Sequence, residues 1–391
     1  MARIRGHSTE LMKSPLILYA VAATAIAAEP IKMSFDEAMQ RLVAQNRDLQ
    51  AARQTLETAR LNYRGAYAGF LPQVTAGVNY TQGNSATTAQ LAGVNTTYEL
   101  YSASLGVNQN IFSGLADYYK IKQARANTEL SEATYTQTAA RVFYELKAAW
   151  SQLQLARAQH TLALETRTRR LENVRMIRLR FNSGNENKGS LLLAESYLAQ
   201  AERDVNQSLR QKLTAETELR RVLNLPDEQQ VLPEGSIRSK APPEAQNLAE
   251  LSKQTPEYRQ ALAQQLNAEA TADAAISPFF PTLNASGSLF RQGPTFFPER
   301  DRWSVTVSVS YPLFSGGKDY YALKANSSAH EASKRNRESV ELARTARLQQ
   351  ALQAWRDALE SAKVSESLLG ASTVRAQIAR VKYHNGLLSF D

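Results

Sequence analysis

The 391-residue chain contains no cysteine. That excludes a disulfide framework, a thiolate metal site and a thiol nucleophile. Histidine is scarce: His7, His160, His330 and His384 lie far apart, never at the H-x-x-x-H spacing of a zinc helix. His160 and His330 fall on helical runs and read as solvated positions, not metal ligands. No glycine-rich phosphate loop follows a strand-like stretch, and the carboxylates are scattered as on solvated helix faces. The chain therefore reads as a non-enzyme without cofactor or metal. Its formal charge is +9, yet no dense Lys/Arg patch is interleaved with aromatics, which argues against a nucleic-acid partner. Proline is missing from Gln73 to Leu225, and glycine is missing between Gly114 and Gly184. Such a gap leaves room for one helix over about 116–182, roughly 100 Å long at about 1.5 Å per residue.

The N-terminus carries the one apolar run of note. Arg3, Arg5 and Lys13 precede an apolar stretch from Leu16 to Ala28, and Ala25-Ile26-Ala27 is a small-x-small site. The pattern is that of an export signal over residues 1–27, cleaved after Ala27. It is short for a spanning helix, which needs about 20 residues.

What is present is a duplication. N-I-F-S-G-L-A-D-Y-Y at 110–119 returns as P-L-F-S-G-G-K-D-Y-Y at 312–321, a shift of 202 residues. Phe70-Leu71-Pro72 returns as Phe279-Phe280-Pro281, and Arg180-Phe181-Asn182-Ser183-Gly184 has a counterpart around Tyr383, Asn385 and Gly386. A repeat near 200 residues is too long for a solenoid unit and marks a duplicated half-molecule. The first half spans 33–225, a Pro/Glu/Gly-rich linker spans 226–247, and the second half spans 248–391. Met33 to Ala68 reads as helical with a stop near Asn46, and Ser34 with Glu37 forms a possible capping box. Shorter helical runs follow the linker at 248–253 and 256–276. Strands are expected at about 73–81, 101–111, 282–290 and 303–311, with 82–98 a loop. Long helices follow at 116–182 and 319–384, with a return helix over about 190–224 in the first half.

The strands alternate. Val74, Ala76, Val78 and Tyr80 share one face; Tyr101, Ala103, Leu105, Val107 and Ile111 share another such face. So do Leu283, Ala285, Gly287 and Leu289, and finally Trp303, Val305, Val307, Val309 and Tyr311. The opposite faces are rich in Ser, Thr and Asn with little charge. Such strands suit a half-buried soluble sheet or a transmembrane barrel, and a soluble sheet would usually show more Lys and Glu on its wet face. Tyr80, Tyr101, Phe112, Phe290, Trp303, Tyr311 and Phe314 gather near strand ends, as in the aromatic girdles of transmembrane barrels. Four strands cannot close a barrel, since about eight are the minimum, and open edges cannot face lipid. Other copies of the chain must complete it, and helices near 100 Å must leave the membrane. Small and apolar residues at Val142, Leu146, Ala149, Leu153 and Ala156, and at Ala194, Leu198, Ala201, Val205, Leu209 and Leu213, mark packed or supercoiled helices.

The ordered, duplicated F-L-P/F-F-P, F-S-G-x-x-D-Y-Y and R-F-N-S-G/K-Y-H-N-G motifs resemble the TolC family of outer-membrane efflux channels of Gram-negative bacteria, over about residues 33–391. The resemblance implies a membrane α+β fold: a homotrimer whose four strands per chain build a 12-stranded transmembrane barrel, continued by a long periplasmic α-helical coiled-coil barrel. It also implies an exit duct for drugs, toxins or proteins in tripartite efflux or type I secretion. The partners would be a periplasmic adaptor (membrane fusion) protein, an inner-membrane pump of RND or ABC type, and outer-membrane lipid. The matching helix turns, Arg180, Phe181, Asn182, Ser183 and Gly184, and Lys382, Tyr383, His384, Asn385 and Gly386, would form the periplasmic tip and meet the adaptor. Tyr383 is the candidate gate residue, and the glycines would supply the positive-φ turn of a helix C-terminus.

Two features depart from the family pattern. The first turn continues Asn185-Glu186-Asn187-Lys188-Gly189-Ser190, without the aspartate some members place there. After Gly386 only five residues remain, against 41 between Gly184 and Leu225. The expectation is a chain truncated by one return helix, with an apolar seam exposed on the 319–384 helix and a poorly sealed tunnel. The competing readings are a soluble periplasmic coiled-coil interaction protein and a non-functional channel fragment.

Overall fold

A computed structural model describes residues 31–86, 95–226, 229–235, 247–296 and 301–384. Residues 1–27, expected to be an export signal, lie outside these residues, as do Asn385, Gly386 and part of the expected linker. The elements run β1 (Ile31–Ser34), α1 (Phe35–Gln45), α2 (Arg47–Gly65), β2 (Gln73–Ala86), β3 (Asn95–Ser113), α3 (Ala116–Asn182), α4 (Lys188–Leu223), β4 (Val231–Glu234), α5 (Leu248–Lys253), α6 (Pro256–Ala274), β5 (Thr282–Gly293), β6 (Asp301–Ser310) and α7 (Lys318–His384). By internal contacts the chain forms two compact units.

One unit holds β1, β4, the C-terminal part of α3 and most of α4. Helices α3 and α4 form an antiparallel hairpin. Arg178 reaches Glu195 at 2.5 Å, Arg170 lies 4.9 Å from the centre of the Tyr197 ring, and His160 Nδ1 meets Ser208 Oγ at 3.0 Å. Through most of its length α4 buries Ala194, Ala201, Ser208 and Ala215, spaced strictly by seven, and Glu216, Leu219, Val222 and Leu223 join them at its C-terminal end. A seven-residue repeat underwinds a helix pair into a left-handed supercoil. The small side chains set a close approach, and this corrects the expected seam: Leu209 and Leu213 are exposed. Ser208 enters the interface satisfied because its hydroxyl donates to Val205 O at 2.9 Å. His160 is accordingly half-buried between the helices rather than solvated.

β1 and β4 pair in parallel, with Ile31 opposite Val231 and Ser34 opposite Glu234. This small sheet corrects two expectations. Met33 and Ser34 open as strand, not helix, and the linker contains β4. Four-residue strands carry too few residues for alternation to show; Met33 and Val231 are their buried residues.

The second unit holds α1, α2, the first half of α3, α5 to α7 and the larger sheet. Asn46 separates α1 from α2, as expected: its Oδ1 accepts from Leu49 N and its Nδ2 donates to Val222 O, both at 3.1 Å. Val142, Leu146, Ala149 and Trp150 are buried on α3. An amide ladder joins α3 to α6 through Gln123–Thr271, Asn127–Asn267 and Gln137–Gln260 at 2.9–3.0 Å. Pro256 begins α6 behind Thr255, whose hydroxyl accepts from Tyr258 N, a start signal that proline at the first helical turn provides. On α7, Arg344 pairs with Glu257 at 3.1 Å. Farther along, Val364, Leu368, Leu369, Val374, Ile378 and Val381 are exposed.

Candidate transport site: a two-faced sheet and a helical turn

The larger sheet is antiparallel, ordered β2-β3-β5-β6, so β2 and β6 are its edges. β2 and β3 extend well past the expected ends: Thr81 pairs with Leu100 and Ala86 with Asn95. Residues 82–86 and 95–98 are therefore strand. Their Gly, Asn and Thr composition hides this because a ladder needs only backbone partners once alternation is no longer demanded by a buried face.

Register sorts the side chains. One face carries Val74, Val78 and Tyr80 on β2, Ala103, Leu105 and Val107 on β3, Leu283 and Leu289 on β5, and Trp303, Val305, Val307 and Val309 on β6. The four β6 residues are 64–76% exposed in the single chain. A strand with a continuous apolar face turned to solvent requires an apolar neighbour. From Trp303 to Tyr311 the band runs roughly 26 Å along the strand, or about 20 Å when tilted as barrel strands are, close to a hydrocarbon core. The opposite face carries Ser, Thr, Asn and Gly; Ser288 and Ser304 hydrogen-bond across it at 2.8 Å.

The aromatic residues near the strand ends fall on both faces of the sheet. Tyr80 and Tyr101 sit opposite each other with ring centroids 4.8 Å apart, and Phe296 packs edge-on against Tyr101 at 5.7 Å. Trp303, Tyr311 and Phe314 are exposed. Two assignments change. A bulge between Asn110 and Phe112 leaves Ile111 unpaired and puts Phe112 opposite Leu283 on the apolar face; the extra residue of a bulge inverts the parity that alternation predicts. Phe290, opposite Ser104 and Arg302, lies on the polar face, not in the girdle.

The joints between sheet and helix explain the duplicated S-G-x-x-D motif. At Gly114 φ is +63°, and Leu115 follows at +72°; in the second copy Gly316 and Gly317 have +66° and +82°. Two consecutive left-handed residues turn the chain out of the strand. Asp117 lies in the first turn of α3, its N–H donating to Ser113 Oγ at 3.1 Å and its carboxylate accepting from Asn110 Nδ2 at 2.7 Å. In the second copy Ser315 Oγ donates to Asp319.

The first helix turn is built by Gly184, at φ +77°. Its N–H donates to Phe181 O at 3.0 Å, and Asn185 N donates to Arg180 O at 2.8 Å. This pair is the Schellman arrangement, which needs the left-handed residue at its centre. Asn187 then caps α4, accepting from Ser190 N at 2.8 Å. Arg180, Phe181, Asn182, Ser183 and Gly184 are all exposed, as are nearby Leu179, Leu192 and Leu193. The sequence reading passed over these three leucines; the run Leu191-Leu192-Leu193 just inside a helix start was the available signal. In the second turn Lys382 is exposed at the end of α7, Tyr383 and His384 are placed by backbone alone, and Asn385 and Gly386 lie outside the described residues.

Among the described residues no group of three or more His, Asp or Glu side chains is placed to hold a metal ion, and no helix is long and apolar enough to cross a membrane. The Ser208 hydroxyl proton is committed to Val205 O, so the His160–Ser208 pair is a structural contact and not an activated nucleophile.

Comparison with known proteins bears on these features. No match was found among curated proteins. Among solved structures, the Campylobacter jejuni CmeC outer membrane channel is 16% identical with a TM-score of 0.78, covering 91% of this chain and 78% of its own. The outer-membrane channel OprN is 22% identical, with a TM-score of 0.73 and coverage of 91% and 81%. The open state of the Neisseria gonorrhoeae MtrE outer membrane channel is 19% identical, with a TM-score of 0.71 and coverage of 90% and 80%. These similarities establish a shared fold, the α+β fold of TolC-like channels. The family described as outer membrane efflux protein matches residues 38–225 and 247–389. The chain therefore belongs to the outer membrane efflux protein family, the TolC-like channels.

Proposed function

We propose that three copies of this chain close a 12-stranded barrel in the outer membrane of a Gram-negative bacterium and conduct cargo passively through it. The observation that carries the reading is the four-stranded sheet with one apolar face, one polar face and two unpaired edges. Its edge backbone groups require partner strands in lipid, and a third of a barrel is completed by two further copies. Helices of 67 residues, about 100 Å long, exceed the bilayer core of about 30 Å and continue the duct in the periplasm. The exposed apolar residues of α7 are covered by neighbouring helices in such an assembly. The 1–27 segment directs export, and the repeats at 33–225 and 248–391 supply equivalent wall segments.

In this reading Arg180 to Gly184, with Leu179, Leu192 and Leu193, form the surface that meets a periplasmic adaptor. Lys382, Tyr383, Asn385 and Gly386 form its counterpart, and Tyr383 contributes to the gate. An inner-membrane pump of RND or ABC type delivers drugs, toxins or proteins. The deciding experiment is native mass and heat-resistant migration of the detergent-extracted membrane fraction. A trimer is expected; a monomer that leaves the membrane with salt supports a soluble coiled-coil protein instead.

A further inference from the structure

The polar face of the sheet is nearly uncharged. Over Gln73–Thr81, Leu100–Asn110, Thr282–Gln292 and Arg302–Ser310 it carries Ser, Thr, Asn, Gln and Gly, with three exceptions: Leu100, Phe290 and Arg302. Arg302 is thus the only charged residue on this face among the described strand residues. The neighbouring charges point the other way: Asp301 is held on the apolar face by Arg291, its register partner, whose Nε and Nη2 donate to the carboxylate. Arg302 makes no ion pair among the described residues, lies directly opposite Phe290, and is exposed. Glu299 and Arg300, adjacent in sequence and opposite in charge, lie outside those residues.

Position adds a second constraint. β6 ends at Ser310 and leads into α7, whereas Arg302 stands at its other end, beside the turn to β5. That end is the outward mouth if the helices are periplasmic. An arginine cannot lose its charge there, and a ring of like charges in a narrow polar bore sorts solutes by sign.

We propose that Arg302, repeated by the symmetry of the trimer and so resting on the channel reading above, forms a cationic ring at the outward mouth that favours anionic over cationic solutes. The ring acts on a face with no carboxylate among the described strand residues to neutralise it, since Glu99 and Asp301 fall on the opposite face, and Phe290 narrows the bore beside it without adding charge.

The absence of native cysteine makes a clean test possible in whole cells expressing the full chain. Ser304→Cys places a thiol on the polar face about 7 Å along the strand from Arg302; Val305→Cys places one on the apolar face. The labelling rates by an anionic and a cationic methanethiosulfonate are measured, each normalised to a small free thiol. The anionic reagent is expected to gain roughly threefold to tenfold over the cationic one at Ser304→Cys, the range a nearby charge produces at moderate screening. Adding Arg302→Gln is expected to remove that preference, and Arg302→Glu to reverse it. Labelling of Ser304→Cys with a ratio indifferent to residue 302 overturns the ring and leaves the channel standing. Faster labelling of Val305→Cys than of Ser304→Cys means the polar face does not line water, which overturns the channel reading and the ring with it.

Discussion

Gly114 and Gly316 are equivalent by duplication and share a left-handed backbone, φ +63° and +66°, yet their surroundings differ. A Cβ on Gly114 would lie 2.5 Å from Ser277 O and 3.2 Å from Phe280 Cβ, whereas a Cβ on Gly316 would meet nothing within 4 Å. Gly316→Ala therefore carries only the left-handed term, about 1–2 kcal/mol. Gly114→Ala carries the same term plus displacement of a backbone carbonyl, about 1–3 kcal/mol more by analogy with overpacking. Denaturant unfolding of the purified protein, followed by fluorescence of its three tryptophans, measures both. The difference between the two variants isolates the clash, because the conformational term cancels. Equal destabilisation would refute the reasoning, since it would mean that the loop around Ser277 yields freely. Leu115→Gly copies the second repeat's Gly317 and removes the strained φ of +72°. It is expected to cost little, less than about 1 kcal/mol, because Leu115 is 40% exposed and the relief of strain opposes the lost burial.

Three other substitutions probe separate parts of the account. Gly69→Ala would set a Cβ 2.5 Å from Asp117 Oδ1, breaking the Asn110–Asp117 bond at the joint; about 1–3 kcal/mol is expected in the same unfolding assay. Ala201→Leu overfills the seven-residue seam of the α3/α4 hairpin and should cost about 1–3 kcal/mol, read as earlier loss of helical circular dichroism on heating, whereas the same change at Ala199, exposed on α4, should be neutral. Glu218 is held below the usual carboxylate range by its hydrogen bond from Arg221, at 2.6 Å, with partial burial opposing. A depressed pKa contributes stability above the unfolded value of about 4.3, lost as pH falls through the folded one. Glu218→Gln should therefore cost under about 0.5 kcal/mol at pH 7 and nothing at about pH 2.

Much of this architecture is written in periodicity. The long helices were legible because α3 spans 67 residues without Pro or Gly, and α7 as many with Gly370 alone, which leaves few alternatives; Leu146, Leu153 and Ala156 on α3 sit in the core where their spacing puts them. The sheet's two faces were legible because β6 alternates without a break. What the pattern hid depends on contacts distant in sequence. β4 is defined by pairing with β1, 200 residues away, and the bulge at Ile111 is set by where β5 falls across β3. The α4 seam chose Ser208 over Leu209 because a serine bonded to its own backbone fits a close interface that leucine would force apart. At the candidate tip, the turn at Gly184 followed from the residue type, but the leucines beside it have meaning only once α4 is seen to begin at Lys188.

The claim on which the rest depends is that β6 of one copy pairs with β2 of the next. Single cysteines along the two edge strands of the otherwise cysteine-free chain, combined in pairs and oxidised in the membrane, test it directly. The account predicts a covalent trimer for some pairs in one register, with cross-linking lost when either cysteine moves by one residue to the opposite face. Uniform failure across the register, or linkage that stops at dimers, would contradict it.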